Sequence, residues 1–285
     1  MWLFSVHAYL CSLLMYTKSG EIVMSGLSKS VAYPWALTGV FAAIHLVITL
    51  IPFSIAIGGG GSISFGLVSA PIIGFLLGPF FGVIAVVIGS LLAMFINPLI
   101  AILGPFTVLA TAAGALAAGA MRTRIRFTVP IIFIVAFGIY LTSPVGVAVP
   151  LFIWFHLIVF AISLLFLIPK ISTWLIKPLN LNIDTDRWVR YVSIWLFSIV
   201  AVIIDNLVGS AIGGWYFILG GAPADFIIGF YAAGLVIIPI ERIIGSVLVT
   251  LIIIALIEVL SGSDYGLPLS RVGNYELLEL TEEEI

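Results

Sequence analysis

Two short polar pairs interrupt otherwise apolar sequence: Asp205-Asn206 in IVAVIIDNLVGS and Glu241-Arg242 in IPIERIIGS. A charge inside an apolar helix is costly in a bilayer, so such residues pair with one another or line a functional site. Both pairs are predicted at similar depth, toward the helix ends that face away from the basic loops. Asp205 can therefore meet Arg242, and two arrangements are open: an ion pair that locks two helices, or a ligand site near the outer surface. Trp215-Tyr216-Phe217 follow closely, as interface anchors or as a platform for a flat ligand. His45 and His156 lie alone in apolar runs. No His, Cys and carboxylate group has metal-ligand spacing, so no metal is expected and both histidines read as hydrogen-bonded packing residues. Gly58 to Gly61, with Ser62 and Ser64 after them, form either a plain connector or a loop that closes over a pocket. The run lacks the lysine and the spacing of a phosphate-binding loop.

The elements that must position these residues are membrane helices. The chain has 285 residues, 62% hydrophobic and 8% charged, with mean hydropathy +1.32. Soluble domains carry about 25% charged residues, so composition predicts an all-α integral membrane protein. Nothing basic enough to bind nucleic acid is present, and the single cysteine, Cys11, excludes an intramolecular disulfide. Residues 1–31 form an N-terminal segment, in which 1–23 are either an upstream extension or a membrane-surface segment. Residues 32–262 form one transmembrane domain, and 263–285 a polar, acidic tail.

Within the domain the apolar runs are Tyr33 to Ile57, Phe65 to Gly78, Phe80 to Ile96, Leu99 to Met121, Phe127 to Tyr140, Val147 to Ile168, Trp188 to Gly209, Ala224 to Ile238 and Ile240 to Leu260. Gly78-Pro79 marks a reversal, and Gly74, Gly78 and Gly82 let the two arms approach closely. Asn97-Pro98 and Thr142-Ser143-Pro144 mark further turns. Residues 169–187 read as a polar loop. Ala224 to Ile238 is about 15 residues, short of the ~17–25 of a crossing; a crossing would put the acidic tail outside, and the preferred reading is a re-entrant or interfacial segment with both termini inside. That leaves about eight transmembrane helices. Nine of the eleven basic residues, Lys18, Lys29, Arg122, Arg124, Arg126, Lys170, Lys177, Arg187 and Arg190, then fall on one side, which the positive-inside rule makes cytoplasmic. On the first helix, Ala32, Ala36, Gly39 and Ala43 form a face of small residues. Such a face packs closely on another helix, in the same chain or in a partner.

Taken together, these features resemble the S-component, the substrate-capture subunit of energy-coupling factor (ECF) transporters. The resemblance rests on the Ala32–Ala36 small-residue face, on GFLLGPFFGVIAVVIGSLL around its Gly-Pro turn, and on IIDNLVGS and PIERIIGSVLVTLIIIALI. The family has six helices. Here residues 127–168 read as an inserted helical hairpin on a six-helix core. The resemblance implies a cell-membrane protein that captures a vitamin-like micronutrient, or a metal ion, at an outward site. It implies no catalysis and no cofactor on this chain, and partnership with a coupling transmembrane subunit and cytoplasmic ATPases. The implied substrate-binding residues are Asp205, Asn206, Trp215, Glu241, Arg242, Gly60 and Ser62. The implied docking face is Ala32, Ala36, Gly39 and Ala43. A self-contained secondary transporter or channel is the alternative; it predicts an inverted repeat and a membrane-centred polar pathway, whereas the polar residues here read as gathered toward one side. A membrane enzyme needs a catalytic cluster, and Asp184 and Asp186 have no matching histidine.

Overall fold

The computed structural model describes residues 32–51, 64–179 and 185–261, together with Leu267 and Leu269. Gly60, Ser62, the N-terminal segment and the acidic end of the tail lie outside the described residues. The described residues form helices and no strand: α1 (Ala32–Thr49), α2 (Gly66–Ile96), α3 (Thr107–Ala120), α4 (Thr128–Thr142), α5 (Pro144–Ala148), α6 (Trp154–Leu165), α7 (Pro169–Ile176), α8 (Arg187–Leu219) and α9 (Ala224–Ser261). Five helices are long and apolar enough to cross a membrane, or six if the bent pair at 150–179 is one span. The outer surface suits lipid, since Val47, Phe95, Leu151, Val236 and Leu251 are exposed and a bilayer imposes no cost on apolar surface.

The reversal at Gly78 is formed as the sequence predicts. Gly78 has φ +79° and ψ 178°, in the region that only glycine enters easily. The arms fold back so tightly that a Cβ added to Gly82 would lie 2.8 Å from the Gly74 Cα. In a straight helix those residues would be about 12 Å apart. Helix α3 packs on this hairpin with equal closeness: a Cβ on Gly74 would strike the Ala115 carbonyl, and one on Gly119 the backbone of Gly78-Pro79. Arg122 stands at the turn, where its Nη1 donates to the Phe75 carbonyl at 3.1 Å and its guanidinium lies 4.4 Å from the Phe75 ring. A cation here satisfies a carbonyl at the end of the first arm. The Leu269 N–H donates to the Leu76 carbonyl at 2.8 Å, so the start of the tail reaches the same end of the molecule.

Several boundaries differ from the sequence reading. Helix α3 begins at Thr107 rather than Leu99, because Pro98 and Pro105 open two short 3-10 turns, Pro98–Ile100 and Gly104–Phe106. Residues 169–187 are not simply loop: α7 turns 96° from α6, burying Ser172 and Leu175 while exposing Trp174. Arg126 donates to Ser172, which ties α7 to the Arg122–Arg126 loop. Helix α8 runs on past Gly209 to Leu219, and 224–238 is continuous with the last helix. Pro239 interrupts only one backbone hydrogen bond there, which a packed membrane helix tolerates. No reversal separates 224–238 from 240–260, so the segment is not an independent re-entrant element.

Candidate functional site

The extension of α8 and the fusion of α9 change the depth of the polar pairs. Asp205 lies near the middle of α8 and Arg242 near the middle of α9, not at helix ends as the sequence reading had them. Exposed Trp188 and Tyr191 mark one end of α8, and Trp215 and Tyr216 mark the other. At 1.5 Å per residue these belts are about 40 Å apart, the full thickness of a bilayer with its headgroups. Asp205 lies within about one helical turn of the midpoint between them.

The two helices run antiparallel, joined by a tight turn. Tyr231 donates to the Ser210 carbonyl at 2.9 Å and Trp195 to Ser246 at 3.1 Å, one on each side of the polar level. Side chains on a helix lean toward its N-terminus, so Asp205 on α8 and Arg242 on α9 lean toward each other. Each acts on the other electrostatically, and Glu241 and His156 also lie in the field of Arg242. Yet no hydrogen bond joins Asp205 to Arg242. Asp205 Oδ2 and Arg242 Nε are buried with no hydrogen-bond partner among the described residues. The simple locking ion pair that the sequence allowed is therefore not what forms.

His156 on α6 completes the group. Its Nε2 donates to Asn206 Oδ1 at 2.8 Å, while Nδ1, near the Phe152 carbonyl, has no partner in hydrogen-bond geometry. The His156 ring stacks on Phe152 at 5.5 Å, and Phe152 in turn packs against Tyr231 at 4.8 Å and Tyr140 at 5.4 Å. On the far side of α8, α3 presents Gly114, where a Cβ would lie 3.2 Å from the Asp205 Cβ and 3.7 Å from Oδ2. Five side chains from three helices, Asp205, Asn206, Glu241, Arg242 and His156, thus form one buried group, with glycine on one flank and aromatic rings on the other.

The structure brings together four of the seven substrate-binding residues expected from sequence. Trp215 stands apart: it is ten residues further along α8, or about 15 Å, and its Nε1 donates to the Ile139 carbonyl at 3.0 Å, fastening α8 to α4. His156 is hydrogen-bonded and packed, as the sequence predicts, but its partner is Asn206, which ties it to the polar group. His45 is likewise a hydrogen-bonded packing residue. Its Nδ1 and Nε2 meet Ser69 at 2.7 Å and Ser90 at 2.9 Å, and Ser90 meets Thr111 at 3.2 Å, a closed relay across α1, α2 and α3. The signal for His156 was available in the rule that intramembrane ionisable residues mark sites. Asn97 is a turn residue, its Oδ1 accepting from the Leu99 N–H at 3.1 Å.

The presumed docking face takes a different position. Ala32, Ala36, Gly39 and Ala43 are all exposed, and nothing lies within 4 Å of a Cβ placed on Gly39. The opposite face of α1 buries Thr38, Ala42, His45 and Thr49. The small residues therefore do not serve packing within the described part of this chain. No protein-family model, curated protein or solved structure matches the chain.

Proposed function

We propose that this chain is the membrane-embedded substrate-capture subunit of an ECF-type importer in the cell membrane. In this reading it binds a small polar micronutrient through Asp205, Asn206, Glu241, Arg242 and His156, and it performs no chemistry itself. Eight crossings follow if each arm of α2, the short α3 and the bent pair are counted as spans beside the remaining long helices. Helices α4 to α6 are then the hairpin added to a six-helix core, although they supply His156, Tyr140 and Phe152 to the centre rather than standing outside it. The observation that carries the reading is the outward small-residue face of α1. Small residues at the surface of a membrane helix let another helix approach closely, and a coupling transmembrane subunit bound to ATPases is the partner the reading requires. Replacing Gly39 or Ala36 with Trp is expected to abolish co-purification with that subunit and its ATPases, while leaving the monomer folded and its ligand retained. If the wild-type chain, isolated from its native membrane, brings down no such subunit, the reading fails.

One observation favours a second reading, a self-contained secondary transporter. The ionisable group lies at mid-depth, where such proteins place their sites. Vesicles containing the purified chain alone distinguish the two. Uptake driven by an ion gradient, without ATPases, supports the transporter and excludes the capture subunit.

A further inference from the structure

The charges of the buried group do not balance. Asp205 and Glu241 carry two formal negative charges, Arg242 carries one positive, and His156 in its neutral form contributes none. Asp205 is 7% exposed, Glu241 6%, Arg242 4% and His156 1%. Ionised groups taken from water into an apolar interior are tolerated when compensated and hydrogen-bonded. Their formal sum is one negative charge, and two unpaired atoms mark where a ligand would be met. Among the described residues Asp205 accepts no hydrogen bond, and its Oδ2 is a buried acceptor without a donor. Arg242 does not reach it by hydrogen bonding, which leaves Nε a buried donor without an acceptor.

We propose that this group receives a small organic monocation, with its positive end against Asp205 and a neutral acceptor oxygen toward Arg242 Nε. The inference rests on the capture reading and adds the class of substrate. Charge decides among the candidates. A monocation brings the site to neutrality, a zwitterion leaves the negative charge in place, and an anion doubles it. The surroundings favour the same choice. The Phe152, Tyr140 and Tyr231 rings stand behind His156, and aromatic faces attract cations.

The test uses the full chain in detergent and follows thermal unfolding by tryptophan fluorescence. The probes are choline and acetylcholine as monocations, glycine betaine as a zwitterion, benzyl alcohol as a neutral molecule and benzoate as an anion. The monocations are expected to raise the midpoint with concentration, and the others not. Asp205→Asn is expected to weaken the response roughly tenfold or more, whereas Asp225→Asn, on the exposed first turn of α9, leaves it unchanged. If Asp205→Asn does not fold, the charge selectivity of the wild-type chain decides alone. A response to the neutral or anionic probes that equals or exceeds the response to the monocations overturns the charge assignment and leaves the capture reading standing. A midpoint that moves with pH and with no monocation identifies a proton as the missing charge and overturns the proposal. If no probe acts and the chain from its native membrane retains no small molecule, the capture reading falls, and this inference with it.

Discussion

At the scale of single residues, the imbalance around Asp205 gives an asymmetric prediction. Replacing Arg242 with Met removes the only cation of the group and strands two buried carboxylates, a change that costs about 3–5 kcal/mol. Replacing Asp205 with Asn brings the formal charge of the group to zero and removes a buried acceptor that no described group satisfies, so the unliganded protein should be unchanged or slightly stabilised. Denaturation of both variants in detergent checks the order, and an Asp205→Asn loss as large as that of Arg242→Met would mean the two form a true pair. The two histidines separate in the same way. Both nitrogens of His45 are satisfied by hydroxyls, so His45→Ala should cost about 1–3 kcal/mol of stability by orphaning Ser69 and Ser90, without changing ligand affinity. His156→Ala should weaken ligand binding, because His156 holds Asn206 within the site. Sequence alone could not distinguish these residues, since each is one histidine in an apolar run and the difference lies in partners 24 to 50 positions away.

At the scale of elements, the hairpin and its neighbour depend on glycine at contacts where no side chain fits. The reversal was legible because Gly-Pro and the four-residue glycine spacing are local signals, and the same spacing accounts for the close approach of Gly82 to Gly74. The fit of α3 against the hairpin was not legible, because it depends on which of its many Ala and Gly residues face which neighbour. Gly114 faces Asp205, whereas Gly119 faces the Gly78 turn. Gly119→Val is therefore expected to destabilise the fold by several kcal/mol, since the clash is with backbone that cannot yield. Gly78→Ala should cost about 1–3 kcal/mol, because its φ of +79° with ψ 178° lies in an essentially glycine-only region. Chemical denaturation of the two variants measures both, and a Gly119→Val protein as stable as wild type would show that α3 does not seat there. Helix length was the least legible feature. Residues 210–219 contain Gly213 and Gly214, which as a sequence pattern suggest a break, but close packing against Tyr231 and Ser143 makes glycine useful inside a continuous helix.

At the scale of the whole molecule, the features separate into two ends with the polar group between them. One end gathers the Gly78 turn, Arg122, the Arg126–Ser172 link and the start of the tail at Leu269. The other gathers the turn after Asn97, the Ser143 cap of α5 and the aromatic end of α8. There the Tyr216 ring packs on Phe106 at 6.2 Å, and Ser143 borders Gly214. Basic residues concentrate at the first end, so the positive-inside rule predicts that this end faces the cytoplasm. Leu269 is then expected at the same face, because it is bonded to the hairpin turn rather than to the opposite end. This is tested with single cysteines introduced at Lys170, Asn97 and Ser270 in a Cys11→Ser background, labelled by a membrane-impermeant maleimide on intact cells. Only Asn97→Cys should react before lysis, and all three after it. Labelling of Ser270→Cys from outside would separate the tail from the Gly78 turn. It would also remove the support that α9, as one continuous helix, lends to placing Arg242 and Asp205 at the same depth, on which the central charged site depends.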